Sequence, residues 1–164
     1  MSPAHKRFLL LEEGVGSVVV NLVINAAIAF LMFRGAPTVP LWGQQSVVSD
    51  TIGTTFFLPL FTTLIVTSLA RRQVSAGRVA PFAGMPLGLQ WMPIHTLWRG
   101  VVLGLITAFV IAPPTVAILA TLSNDHSFWG FVAFKAIFAA VLGAFVTPLI
   151  ALWAIAGASD LGDA

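Results

Sequence analysis

Apolar residues run through this chain in four long stretches, at about 9–33, 47–70, 98–122 and 129–156. As a helix rising 1.5 Å per residue, each crosses a hydrocarbon layer ~30 Å thick. Between the first two, Arg34 to Ser46 carries Gly35, Pro37 and Pro40, which punctuate strongly. A short polar turn, Ser123-Asn124-Asp125-His126-Ser127, separates the last two. The middle connection, residues 71–97, is the longest, with breakers between Pro81 and Pro86 and with Trp91 suited to headgroup level. These elements predict an all-α polytopic membrane protein, one domain over residues 1–164. Its four transmembrane helices form two antiparallel hairpins, with the linker along the membrane surface.

Within the first stretch the pattern is broken in a regular way. Glu13, Ser17, Asn21 and Asn25 recur every fourth residue, so their side chains lie one above another on one helix face. A buried polar group costs free energy unless it finds a partner, so this face points inward, at other helices or at water. The second stretch has its own polar positions: Asp50, Thr54 and Leu58 share one face, and Thr51, Thr55 and Thr62 another. Antiparallel packing of the first two spans would bring Asn25 level with Asp50 or Thr54. Ser17 and Glu13 would then face Thr62 and Thr67. Side-chain hydrogen bonds between such helices average about 0.6 kcal/mol, so several are needed to specify a packing.

Composition excludes a soluble fold. Of 164 residues 58% are hydrophobic and 9% charged, against about 25% charged in soluble domains. The net charge is +2 and the eight Lys and Arg are scattered, so nucleic acid is not an expected partner. His5, Lys6 and Arg7 before an apolar run imitate a signal peptide, but Glu12 and Glu13 interrupt its core. The segment reads as a retained helix. With four spans, Lys6, Arg7, Arg71, Arg72, Arg78 and Arg99 fall on one side, and Arg34 on the other. That bias puts both termini and the linker in the cytoplasm, in a multi-pass protein of a bacterial plasma membrane.

The two halves resemble each other. Leu41-Trp42-Gly43 opens the second span and Phe128-Trp129-Gly130 the fourth; Pro59 and Pro148 lie late in each. A two-fold internal repeat would relate the halves by an axis along the membrane normal. Asp50 and Lys135 then occupy similar depths with opposite signs, and an ion pair across the bundle is expected; alone, Lys135 would snorkel to the interface. Glu12 or Glu13 is expected to pair with Arg99, or with Lys6 and Arg7. Gly100 and Gly104, and the ridge Ala136, Ala140 and Ala144, let helices approach closely, either within the bundle or as a homo-oligomer face. Pro113-Pro114 is expected to kink or break the third helix.

Candidate chemistry is sparse. Cysteine is absent, and His5, His95 and His126 lie far apart with no metal, haem or phosphate-loop spacing around them. No enzyme activity, cofactor or metal is expected. A membrane glutamate, Glu13, in the first of four short helices resembles the arrangement of small multidrug-resistance transporters. Glu13 lies nearer the span end than their coupling carboxylate, and the middle linker is longer, so no activity is carried over. Two functions remain open. One is a small transporter or channel-like protein that uses Glu13, Ser17, Asn21, Asn25, Asp50, Thr54 and Lys135 as a polar lining. The other is a non-transporting structural or assembly subunit whose seam is glue.

Overall fold

The computed structural model describes residues 15–78, 92–93 and 95–156. Glu12, Glu13, Lys6, Arg7, His5 and Trp91 lie outside the described residues, as does most of the linker. The elements are α1 (Gly16–Phe33), β1 (Thr38–Pro40), α2 (Val47–Ser75), α3 (Thr96–Leu122), β2 (Asp125–Ser127) and α4 (Phe128–Ala156). All four helices are long and apolar enough to cross a membrane, and they match the four stretches read from the sequence.

Local chemistry sets the ends. Ser46 caps α2 reciprocally: its hydroxyl accepts from the Ser49 amide at 3.2 Å, while the Ser49 hydroxyl accepts from the Ser46 amide at 3.2 Å. Asp50 in the first turn meets the positive end of the helix dipole. Inside α2, Pro59 has no N–H for the carbonyl of Thr55. The Thr107 hydroxyl of α3 supplies the missing donor at 2.5 Å. A carbonyl freed at membrane depth is thereby satisfied by a neighbouring helix.

Of the kink or break expected at Pro113-Pro114, the break does not occur. α3 continues through both prolines to Leu122. Ending the helix in hydrocarbon would expose many backbone groups, whereas the two prolines remove two donors.

Helix packing departs from the hairpin expectation. α1 packs on α4, α4 on α2, and α2 on α3, whereas α1 and α2 do not pack along their lengths. Gly143 explains much of this: a Cβ there would collide with Asn21, so its absence admits α1 to the face of α4. Gly100 and Gly104 do the same for α3 on α2. An added Cβ would lie 2.9 Å from the Leu60 side chain and 2.6 Å from the Phe56 carbonyl oxygen, respectively. These glycines are used inside the chain, and Ala136 and Ala140 are likewise buried in it.

The two connecting loops meet, which the sequence did not reveal. β1 and β2 form an antiparallel pair, Thr38 with Ser127, Val39 with His126 and Pro40 with Asp125. Bonds from Leu41 N to Asn124 O (2.7 Å) and Phe128 N to Pro37 O (3.2 Å) extend it. Beneath this strand end lies a core that includes Phe33, Val39, Leu41, Leu119 and Phe131. A second core, nearer the other end, gathers Leu58, Val66, Leu103, Val146, Ile150 and Trp153.

The packing order α1–α4–α2–α3 reads the same when α1 is exchanged with α3 and α2 with α4. The strand register has the same property. Trp129 follows Trp42 by 87 residues, and His126 follows its partner Val39 by the same 87.

Candidate functional site: a polar groove between the first two spans

Because α1 and α2 stand apart with α4 behind them, a groove of about 950 Å³ runs between them. Its walls are mostly apolar, with Val20, Ile24 and Ile28 on α1 and Phe57, Phe61 and Ile65 on α2. Its polar positions come from three helices and form a ladder. At the strand end the Lys135 ammonium donates to Asp50 Oδ1, and the two side chains are 4% and 7% exposed. This is the ion pair expected from charge and depth, and Lys135 does not snorkel.

The depths of the other rungs follow from contacts between helices. Phe33 packs edge-on against Phe131, with ring centroids 4.8 Å apart, and the Ser17 hydroxyl donates to Gly143 O at 3.3 Å. At 1.5 Å per residue, Asn25 and Thr54 therefore lie about one turn below the ion pair, and Asn21 about one turn further. Ser17, beside Gly143, follows at about 12–18 Å and Thr62 and Thr147 at roughly 18 Å, and all of these residues line the groove. Nearer the far end the wall is apolar, with Ile65, Val66 and Leu69. Glu13, the next step of the stripe, lies outside the described residues.

The seam is thus not the interface between the first two spans that the sequence suggested. Asn25 and Thr54, and likewise Ser17 and Thr62, face the same groove from opposite walls. Three α2 threonines that do not line the groove are satisfied locally. Thr51, Thr55 and Thr63 donate to the carbonyls of Val47, Thr51 and Pro59 at 2.7, 2.9 and 2.7 Å, so each satisfies its hydroxyl within its own helix. The two asparagines behave similarly. Asn21 Nδ2 donates to Ser17 O at 2.9 Å and Asn25 Nδ2 to Asn21 O at 3.0 Å, which leaves a second N–H and the side-chain carbonyl of each for other company. Thr147 is 2% exposed, and its hydroxyl finds no partner among the described residues.

A second buried charge escaped notice as a site. Arg99 is 1% exposed. It donates from Nη2 to Thr67 Oγ1 at 2.7 Å and lies 3.3 Å from the Trp153 ring centroid. It ties α2, α3 and α4 together towards the end opposite the strands. Its Nε and Nη1 have no partner among the described residues. The signal that could have found it was Thr67 on α2 and an aromatic on α4 at the same depth, which requires knowing the helix neighbours. The expected glutamate partners of Arg99 lie outside the described residues. Among the described residues no cluster of three His, Cys, Asp or Glu could hold a metal.

Four helices long and apolar enough to cross a membrane mark a multi-pass integral membrane protein in contact with the bilayer. Compared with protein-family models, with curated proteins and with solved structures, the chain finds no match. The functional reading therefore rests on the groove itself.

Proposed function

We propose that this protein is a small membrane transporter whose substrate moves along the groove between α1 and α2. One observation carries the reading: hydrogen-bonding groups recur at each turn for about 18 Å of depth in a groove that α1 and α2 leave open. A purely structural seam would be expected to close on itself, because unfilled space beside polar groups in hydrocarbon is unfavourable. In this reading the strand end faces the outside and the termini the cytoplasm, in keeping with the distribution of Lys and Arg. The correspondence of the two halves supports an internal duplication of a two-helix unit.

Flux in proteoliposomes tests the proposal, beginning with protons and monovalent ions and extending to fluorescent amphiphiles. Asn21→Leu combined with Asn25→Leu should abolish flux while the protein still purifies as a folded species. If wild type moves none of these solutes, or if the double variant affects only folding or assembly, the seam is structural and the transport reading is wrong.

A further inference from the structure

We infer that the groove binds an uncharged, hydroxyl-bearing amphiphile drawn from the bilayer, its chain extended along the apolar walls and its head on the polar ladder. The inference deepens the transport reading and rests on it for its biological meaning, although binding can be tested without flux.

Shape argues for an extended chain. α1 is 18 residues long, about 27 Å at 1.5 Å per residue, and the groove follows it from Gly16 to Phe33. A volume of about 950 Å³ over that length corresponds to a mean cross-section of about 35 Å². A single extended acyl chain fits a groove of that length and section.

Chemistry argues for the head. Among the described residues the one cationic side chain lining the groove is Lys135, and it is committed to Asp50. Among these residues no free positive charge awaits a phosphate, and the pair contributes no net charge. What the ladder offers is amide and hydroxyl groups that both donate and accept. Asn21 and Asn25 each spend one N–H on their own helix and keep a second N–H and a carbonyl oxygen, and Thr62 adds a partly exposed hydroxyl. Such groups in hydrocarbon call for a ligand that also does both, and hydroxyls do so without bringing charge into the membrane.

The test is photo-crosslinking of the full chain in nanodiscs of zwitterionic lipid. The probe is 1-oleoylglycerol with a diazirine in its acyl chain, and the comparison is a phosphatidylglycerol carrying the same label. Wild type should be labelled by the acylglycerol on α1 and α2 wall residues, at least tenfold more than by the anionic lipid at equal mole fraction. Gly53 lines the groove, and a Cβ there meets nothing within 4 Å. Gly53→Phe should therefore fill the groove without disturbing helix packing, and reduce labelling at least tenfold. Thr62→Val, close to isosteric, should reduce it about threefold by removing a hydroxyl that lines the groove.

Equal labelling of wild type and Gly53→Phe would overturn the proposed location. Preferential labelling by phosphatidylglycerol would overturn the proposed head group. Flux that fails while this binding pattern holds would remove the transport reading and leave the ligand assignment standing.

Discussion

Lys135→Met leaves the Asp50 carboxylate without its partner in a site where both side chains are more than nine-tenths buried. Breaking a buried pair by removing one member costs about 3–5 kcal/mol, because the remaining charge is stranded. The penalty has a ceiling, since Asp50 can accept a proton instead. At pH 7, protonating an ordinary aspartate with a pKa near 3.9 costs about 4 kcal/mol, at ~1.4 kcal/mol per pH unit. A loss of 3–4 kcal/mol is therefore expected, which corresponds to a Tm lower by roughly 6–16 °C for a chain of this size. The double variant Asp50→Leu with Lys135→Met removes both charges and should recover most of that loss, because a well-packed apolar replacement is often neutral or stabilising. The assay is thermal or denaturant unfolding of purified protein in mild detergent, read as a double-mutant cycle. A single variant that loses less than ~1 kcal/mol, or a double variant no better than the worse single one, would refute the reasoning: the ion pair would then be exposed to water or absent.

Three further outcomes check the rest of the structure. Gly104→Ala places a Cβ 2.6 Å from the Phe56 carbonyl oxygen and should cost about 1–3 kcal/mol by overpacking the α2–α3 contact; Gly53→Ala, which meets open space, should not destabilise in the same unfolding assay. Arg99→Lys keeps the charge but loses the planar stack over Trp153. A loss of about 1–2 kcal/mol is expected, measured by denaturant titration. Finally, the native chain has no cysteine, so introduced pairs report contacts cleanly. Phe33→Cys with Phe131→Cys, where α1 and α4 meet edge-on, should crosslink under mild oxidation, whereas Ser17→Cys with Thr62→Cys, across the groove, should not; the reverse result on a gel would restore the hairpin packing suggested by the sequence.

Much of the site was legible because its signals are local. Ser17, Asn21 and Asn25 stand out by spacing alone, and the Asp50–Lys135 pair follows from opposite charges at matched depths in two similar segments. Glu13 shares that spacing but lies outside the described residues. The partner of the stripe was not legible. Thr54 and Thr62 look like a complementary stripe, and they do line the groove opposite it, but α1 packs on α4 and not along α2, and pattern reading does not show which helices are neighbours. Arg99 reads from the sequence as a cytoplasmic-side charge for Glu12 or Glu13 to pair with, because its position near a span end says nothing of the Trp153 ring beside it.

The sequence by itself determined the four spans and their limits, because the bilayer acts as a solvent and each segment's transfer into it depends on that segment alone. It also determined where polar groups stand along each helix, since the 3.6-residue period is fixed by the backbone. Only the tertiary structure decided which helices are neighbours: that α1 lies on α4 through Gly143, that α3 lies on α2 through Gly100 and Gly104, and that β1 and β2 join the loops. Lipid tails are as apolar as leucine, so hydrophobicity does not rank one helix pair above another. Close packing at a few glycines and hydrogen bonds such as that from Thr107 to Thr55 made the choice, and in separating α1 from α2 they opened the groove.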